Sequence, residues 1–241
     1  MICLNKKVIL ITGAAKGIGA CIAKIFSENN YDIIINYNKS EKEATKLKKD
    51  IEKNNKTTVT LIKADITDEK EILNLFDEAT KKYKKIDIII NNAALSLDSY
   101  IDEKTKEEFM KVLETNVVGP FLITKIFRNN VSQIINISSL DAFNTYNDVS
   151  IDYCASKAAL NSLTQTTALA LPNIKIYSVM LPWVNTESIR EMDKSYLESE
   201  LKRTKQEKLI QPDFVAKKIF ELSQNNNIKT GTIIKWSDIS D

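Results

Sequence analysis

Tyr153 and Lys157 stand four residues apart in the stretch "YCASK", and together they could carry out acid–base chemistry. The stretch resembles the start of a helix, where residues at i and i+4 lie on the same face. A phenol with a pKa near 10 exchanges protons poorly at neutral pH. A cation within about 5 Å stabilises the phenolate and lowers that pKa, so this pair is a candidate for proton transfer.

The rest of the chain offers few other groups for acid–base or metal chemistry. It contains no histidine, which excludes a Ser-His-Asp triad, a Cys-His dyad and histidine-based zinc sites. Its three cysteines, Cys3, Cys21 and Cys154, form no C-x-x-C pair. An odd number of isolated cysteines argues against a disulfide framework or a thiolate metal site and fits a reducing compartment. We therefore expect no metal.

Length and charge narrow the class of protein. With 241 residues, 43% of them hydrophobic, the chain can bury one substantial core, and we predict a single domain over residues 1–241. The net charge is only +2, from 34 basic and 32 acidic residues, so neither nucleic acid nor an anionic membrane is an expected partner. No apolar run reaches about 18 residues, which predicts a cytoplasmic protein.

Short apolar runs alternate with stretches of helical spacing along the whole chain. Helices are predicted at 17–29, 69–83, 105–128 and 153–171. Seven runs of β-branched and apolar residues predict strands covered on both faces: 7–12, 31–36, 58–63, 86–91, 132–138, 174–180 and 231–236. This alternation predicts an α/β fold with a doubly wound, parallel sheet. The polar segment 183–211 follows the sixth strand and is a candidate substrate lid.

Three glycines cluster after the first strand. The chain has only five, and Gly13, Gly17 and Gly19 fall within "ITGAAKGIG". Gly13 would permit a tight exit from the strand, Gly17 a close approach to a pyrophosphate, and Gly19 close packing of helix on strand. The spacing differs from the usual G-x-G-x-x-G fingerprint, so on its own the motif is compatible either with nucleotide binding or with a simple turn.

Three further motifs follow in order: "NNAA" (91–94), "TNVVG" (115–119) and "NISS" (136–139). With the glycine turn and "YCASK", they resemble the classical short-chain dehydrogenase/reductase family from residue 5 to about residue 236. The sequence as a whole is most similar to the branch of 3-oxoacyl-(acyl-carrier-protein) reductases, which act in fatty acid biosynthesis. The resemblance implies a Rossmann-like, doubly wound sheet of seven parallel strands with helices on both faces.

The resemblance also implies a role for each catalytic residue. Tyr153 matches the proton donor, and Ser139 matches the residue that hydrogen-bonds the substrate carbonyl. Lys157 would also bind the ribose of the nicotinamide, and Asn116 matches an asparagine that interrupts a helix and holds a water for proton resupply. Taken singly, these residue types are more often found on exposed helices and at strand ends.

The cofactor contacts implied by the resemblance lie at the carboxyl ends of the strands. Asp65 matches the acid that binds adenine, although it could instead cap the following helix, where Thr67 and Asp68 are also available. The other expected contacts are with the pyrophosphate (Gly13, Lys16, Gly17, Ile18, Gly19), the adenine ring (Ile66), the adenine ribose (Asn92, Ala93) and the nicotinamide carboxamide (Val184, Thr186).

The end of the second strand predicts which dinucleotide binds. Selectivity for NAD commonly comes from a carboxylate there, which accepts hydrogen bonds from the ribose 2′-hydroxyl and repels a 2′-phosphate. In "IIINYNKSEKEA" the first acid after the strand is Glu41. Lys16 and Lys39 could flank a 2′-phosphate, with Asn38 and Ser40 as neutral donors. We therefore predict NADP(H), although each lysine alone would be ordinary exposed surface.

The sequence departs from the family's pattern at two places near the cofactor. Ala94 replaces a glycine, and Leu181-Pro182 replaces a Pro-Gly pair, so proline fixes φ and removes an N–H where the family has a flexible backbone. The leading prediction is an NADPH-dependent ketoreductase. These departures leave open a dinucleotide-binding regulatory or scaffold protein, and an NAD-linked alcohol or polyol dehydrogenase is a third possibility.

The predicted long helices at 105–128 and 153–171 correspond to those that commonly form a tetramer interface in the family. The connection between the first of them and the fifth strand, "IFRNNVSQI", is shorter than is typical. We therefore expect a homo-oligomer, either a tetramer or a dimer.

Overall fold

The computed structural model describes residues 6–143 and 147–239, and Cys3 lies outside them. Within these ranges, seven parallel strands form one sheet in the order β3-β2-β1-β4-β5-β6-β7. The strands are β1 (Val8–Ile11), β2 (Asp32–Tyr37), β3 (Val59–Lys63), β4 (Ile86–Asn91), β5 (Val131–Ser139), β6 (Lys175–Leu181) and β7 (Ile233–Lys235). This confirms the predicted fold class.

Helices cover both faces of the sheet. They are α1 (Gly17–Glu28), α2 (Glu41–Asn54), α3 (Glu69–Lys82), α4 (Lys106–Leu113), α5 (Gly119–Phe127), α6 (Ile151–Ala170), α7 (Glu187–Arg190), α8 (Lys194–Arg203) and α9 (Pro212–Gln224). The predicted helix 105–128 is divided, because a π-helical turn at Glu114–Val118 separates α4 from α5.

Two apolar layers hold the helices to the sheet, one on each face. On one face Phe26 of α1 packs edge-on against Tyr31 and against Phe220 of α9, with ring centroids 5.1 and 5.2 Å away. On the other face Phe76 of α3 packs edge-on against Phe127 of α5 at 5.1 Å. Each strand presents side chains to both layers, which explains why the strands are almost continuously apolar.

The strand order reverses between β1 and its two neighbours, β2 and β4. In an open α/β sheet such a reversal leaves a crevice outside the carboxyl ends of the strands, where ligands bind. The glycine turn follows β1, and "NNAA" begins with the last residue of β4, so both border this crevice.

The 183–211 segment is more regular than its polar sequence indicates. It contains α7 and α8, and its two ends are joined by a parallel β-bridge between Val184 and Ile210. Asn185 donates its backbone N–H to Ile210 at 2.8 Å, and Ile210 donates to Trp183 at 3.1 Å. The segment therefore leaves the sheet at the end of β6 and returns to nearly the same place, where its two ends are hydrogen-bonded to each other. Across the described ranges, none of the helices combines the length and the apolar character needed to cross a membrane.

Candidate active site

The first turns of α6 place Tyr153 and Lys157 side by side. The Lys157 ammonium lies 5.4 Å from the centroid of the Tyr153 ring and donates to the carbonyl of Ile137 on β5 at 2.9 Å. Lys157 is only 2% exposed. The pair thus sits where α6 packs against the end of β5.

The pKa of Tyr153 differs from the expectation drawn from the sequence. Burial of the phenol raises its pKa above the ordinary value, and the negative charge of Asp141 raises it further. A hydrogen bond with Ser139 acts in the opposite direction but does not reverse the shift. In the protein without cofactor, loss of solvent outweighs the stabilisation of the phenolate by the lysine. A lowered pKa in the presence of the positively charged, oxidised nicotinamide stays a prediction.

Burial also acts on the lysine. It lowers the pKa of Lys157 to about 8, because the charged ammonium loses water. Lys157 consequently gives up its proton more easily than an exposed lysine does. A lysine that titrates near neutral pH suits a proton relay.

Ser139 is the last residue of β5, and its hydroxyl is tied to Asp141. It donates to the Asp141 carboxylate at 3.1 Å and accepts the Asp141 backbone N–H at the same distance. Asp141 belongs to a short 3₁₀ turn at Leu140–Ala142. Asp141 was not among the predicted site residues, although an acid two residues after a candidate catalytic serine was a usable signal.

Asn116 lies in the π-helical turn between α4 and α5 and is 1% exposed. Its side chain accepts from the Leu95 N–H and donates to the Leu95 carbonyl, both at 2.8 Å. It also donates to the Ser156 hydroxyl at 2.9 Å. Asn116 thereby joins the loop after β4 to α6. A π-helical turn leaves backbone groups outside the regular hydrogen-bond ladder, and such turns are frequent at functional sites.

A buried ion pair lies directly beside Tyr153. Lys104, 4% exposed, donates to the carboxylate of fully buried Asp152 at 2.9 Å and also to the carbonyl of Leu97. The other oxygen of Asp152 accepts the backbone N–H of Tyr153 at 2.9 Å. The pair therefore fastens the loop after β4 to the first turn of α6. Neither Lys104 nor Asp152 was among the predicted site residues.

The glycine turn has the features of a pyrophosphate site. Gly13 and Gly17 have left-handed φ values of 61° and 60°. A Cβ added to Gly13 would lie 2.9 Å from Ala93, whereas one added to Gly17 would point toward Thr186, 3.7 Å away. Within the described ranges, no side chain caps the N-terminus of α1. The first N–H groups of α1 therefore remain available for an anion, which fits the phosphates of a dinucleotide.

The remaining residues of the turn have distinct environments. A Cβ at Gly19 would lie 2.6 Å from the Asn92 side chain, which itself donates to the Thr12 carbonyl at 2.9 Å. Lys16 is exposed, and Ile18 is partly buried against the core. The turn and the end of β4 are thus packed directly together.

The expected ribose and carboxamide contacts border the same crevice. The N–H groups of Asn92 and Ala93 both donate to the Thr12 hydroxyl, at 3.0 and 3.1 Å, so their carbonyls are the groups left for a ribose. Val184 is buried in the β-bridge that closes the 183–211 segment. Thr186 is the residue before α7 and lies beside Gly17.

At the end of β2, Asn38 and Lys39 are exposed. Asn38 donates to the Asp65 carboxylate at 2.7 Å. Partial burial raises the pKa of Asp65, but hydrogen bonds from Thr67 and Asn38, together with the charge of Lys39, lower it overall. Asp68, not Asp65, caps α3. Ile66 is 6% exposed and lies against Gly119, so little of its side chain is left to contact an adenine ring.

The two departures from the family's pattern cause no visible strain. Among the described residues, the positive φ values outside glycine belong to Asn30 and Lys205, so Ala94 adopts ordinary backbone angles. Pro182 follows a trans peptide bond, and no cis bond occurs in the described ranges. The added methyl group and the added ring are accommodated by the fold.

Comparison with known proteins agrees with this geometry. The family model for short chain dehydrogenases matches residues 7–197. The chain belongs to the short-chain dehydrogenase family. This short-chain dehydrogenase is accordingly an oxidoreductase, in a family whose members bind NAD or NADP.

Its relatives have varied descriptions. An uncharacterized oxidoreductase of Thermotoga maritima is 31% identical over 190 residues, covering 76% of this chain and 73% of the relative. Glucose 1-dehydrogenase 2 of Bacillus subtilis is 28% identical over 194 residues, covering 77% and 74%. A short chain dehydrogenase from Burkholderia cenocepacia, solved in complex with NADP, is 25% identical with a TM-score of 0.88, covering 95% of each chain.

Proposed function

We propose that this short-chain dehydrogenase uses NADPH to reduce a ketone to a secondary alcohol. The observation that carries the proposal is the meeting of Ser139, Tyr153 and Lys157 at the carboxyl end of β5. When bound, the cofactor supplies the hydride. The protein supplies a proton, a hydrogen-bond donor for the developing alkoxide and a route for proton resupply.

Tyr153 acts as the general acid and donates its phenolic proton to the substrate oxygen as negative charge develops there. Its raised pKa keeps the phenol protonated at neutral pH, which suits the direction of reduction. Ser139 donates its hydroxyl proton to the same oxygen and orients the carbonyl. Two donors on one oxygen stabilise the transition state more than the neutral ketone.

Lys157 returns a proton to Tyr153 after each turnover. It is close to the ring, and its pKa of about 8 allows it to lose and regain a proton near neutral pH. Asn116, in the π-helical turn behind α6, is the proposed connection from the lysine to solvent.

The substrate class is proposed to include 3-oxoacyl thioesters and smaller ketones, as in the reductases of fatty acid biosynthesis. The similarity to glucose 1-dehydrogenase 2 favours a second candidate, an alcohol or polyol dehydrogenase working in the opposite direction. A regulatory protein that binds the dinucleotide without turnover is a third.

A single panel separates the three. Purified protein is assayed with NADPH and diacetyl, cyclohexanone or an acetoacetyl thioester, and with NADP⁺ or NAD⁺ and glucose or a secondary alcohol. Reduction of a ketone or thioester supports the reductase. Oxidation of glucose alone would replace it with the polyol dehydrogenase, and cofactor binding without turnover on any member would indicate the regulatory protein.

NADPH is expected to bind at least about tenfold more tightly than NADH in low salt, a difference of about 1.4 kcal/mol. Support comes from the exposed Lys16 and Lys39, and from the engagement of the Asp65 carboxylate by Asn38, Thr67 and Lys39. Ion pairs between these exposed lysines and a 2′-phosphate would be screened by salt, so the preference for NADPH should weaken as ionic strength rises. Lys39→Asp should erase or reverse it, as measured by fluorescence titration of both reduced cofactors.

The matched control for this titration is Lys49→Asp, which makes the same charge change on the exposed side of α2. It should leave the preference unchanged. Equal affinities of the unmodified protein for both cofactors, or tighter NADH binding, would refute the assignment of residues 36–40.

We also propose that the protein forms a homo-oligomer through α4, α5 and α6. Large apolar side chains on these helices and on the π-helical turn are exposed: Met110, Val118, Phe121 and Leu169, the last at 83%. Burying these side chains against a second copy removes apolar surface from water. Light scattering at micromolar concentration should give a dimer or tetramer, and Phe121→Lys should lower that mass. A monomeric unmodified protein would reject the proposal.

A further inference from the structure

A chain of polar contacts runs from Ser139 to α8 in the 183–211 segment. Asp141 accepts from the Ser139 hydroxyl at 3.1 Å through one carboxylate oxygen. Its other oxygen lies 3.9 Å from a guanidinium nitrogen of Arg203, the last residue of α8. The carboxylate therefore stands between a candidate catalytic hydroxyl and the proposed lid.

Arg203, at the end of this chain of contacts, is paired with Glu200. It donates to both oxygens of Glu200, at 2.9 and 2.5 Å, and Glu200 is nearly fully buried. Asn147 donates to Glu200 at 2.8 Å and to the Tyr196 hydroxyl at 2.7 Å, which ties α8 to the segment that leads into α6. The position of Arg203 relative to Asp141 is thus set by how α8 packs.

The contact has a chemical consequence because a serine hydroxyl carries one proton. While Asp141 accepts that proton, Ser139 cannot donate it to a substrate oxygen. A guanidinium beside Asp141 attracts the carboxylate electrons and weakens the carboxylate as an acceptor. Closer approach of Arg203 therefore favours donation by Ser139 to the substrate.

We propose that Asp141 is a positioning residue that couples the packing of α8 to the direction in which Ser139 donates its proton, with Arg203 as the neutralising partner. This rests on the proposed reductase function, since it assigns a task to the same serine. It adds a link between the 183–211 segment and the reacting oxygen.

The coupling also predicts a change in the pH dependence of the reaction. Among the residues that the structure describes, the charged or titratable groups that face Tyr153 are Asp141 from the 3₁₀ turn, Asp98 from the loop after β4, and Cys154 and Lys157 from α6. Among these, Asp141 lies 3.9 Å from Arg203, and Cys154 also experiences the charge of Arg203. Because burial raises the pKa of the Cys154 thiol and keeps the thiol neutral, a change in Arg203 that reaches Tyr153 should pass through Asp141.

The test is a double-mutant cycle measured as a pH profile. Oxidation of acetoin with NADP⁺ requires the phenolate of Tyr153, so its rate rises with pH through the pKa of that group. Asp141→Asn removes a negative charge and should move this rising limb of the pH–rate profile to lower pH by about half a unit or more. Arg203→Met removes a cation beside Asp141 and should move the limb to higher pH. In the Asp141→Asn background, Arg203→Met should add no shift.

Two further variants separate the coupling from a purely structural role. Arg203→Lys keeps the cation and should restore most of the unmodified profile, while Lys202→Met removes an exposed charge one residue away and should leave it unchanged. If Arg203 only stabilised α8 through Glu200, Arg203→Met would lower the melting temperature without moving the limb. That result, or an equal shift in both backgrounds, would overturn the proposal.

A second measurement works without turnover. The tyrosinate absorbance of the protein with NADP⁺, minus that of Tyr153→Phe, follows the ionisation of Tyr153 alone as pH rises. Its onset should move with the same signs in the same four proteins. Absence of turnover on the whole panel would therefore refute the reductase, whereas an onset insensitive to Asp141→Asn would refute the coupling.

Discussion

Tyr153→Phe is expected to lower ketone reduction by about 100-fold or more while the affinity for NADPH stays within a few-fold. The substitution removes the proton donor and almost no volume. The Lys157 bond to Ile137 and the Asp152 bond to the Tyr153 backbone do not depend on the phenolic oxygen, so the site should keep its shape. Initial rates with diacetyl and fluorescence titration of NADPH give the two quantities.

The matched control is Tyr100→Phe, which removes an exposed phenolic oxygen from the loop after β4. It should retain the unmodified rate. If Tyr153→Phe also retained the unmodified rate, another group would have to donate the proton, and Tyr153 would only line the site.

The fold could be predicted because its strands are buried on both faces. Runs such as "IDIIIN" of β4 carry apolar residues at nearly every position, and the observed strands agree with the predicted ranges to within about two residues. Helix α2 was not predicted, because only three of its residues are buried and charged residues dominate the rest. The buried residues are Ala44, Leu47 and Ile51. Such a weak apolar face is a poor signal in one sequence.

The site could be predicted only as a set of local motifs. Motifs place Ser139, Tyr153 and Lys157 because each lies at a fixed point of a strand or helix. The contact between Asp141 and Arg203 joins elements on either side of α6 and β6, and no local pattern indicates it. The raised pKa of Tyr153 likewise depends on burial and on Asp141, and both become visible only once the chain is folded.

The division of the long helix illustrates the same limit. The apolar spacing predicts one helix over 105–128, which includes "TNVVG", whereas the family resemblance implies that Asn116 interrupts it. The buried Asn116 side chain instead bonds to both backbone groups of Leu95, and the helix adopts a π turn there. A tertiary contact thus determines the local geometry, in keeping with the role of π turns at functional sites.

Lys104→Met is expected to reduce the free energy of unfolding by about 3–5 kcal/mol, the range measured when one partner of a buried ion pair is removed. Asp152 is fully buried, and Lys104 is the cation that neutralises it at 2.9 Å. Without the lysine, the carboxylate must remain charged in a dry site or bind a proton. For a chain of this size the loss corresponds to a fall of roughly 10 °C in the melting temperature.

The effect should be specific to the unpaired charge. Lys106→Met, which removes an exposed lysine at the start of α4, should change stability by less than about 0.5 kcal/mol. Adding Asp152→Asn to Lys104→Met should recover much of the loss, since a neutral amide needs no counter-ion and can still accept the Tyr153 N–H. The coupling energy from the four proteins, measured by urea unfolding, isolates the pair.

Lys104→Met should also lower the catalytic rate, because Asp152, the residue before Tyr153, accepts the Tyr153 backbone N–H in the first turn of α6. Loosening that turn displaces the phenol from the substrate oxygen, and kcat should fall in Lys104→Met and recover with Asp152→Asn. Full stability loss with unchanged kcat would mean that the pair holds only the loop after β4. Unchanged stability in Lys104→Met would mean that Asp152 finds a second partner, and that the pair does not hold the entrance of α6 in place.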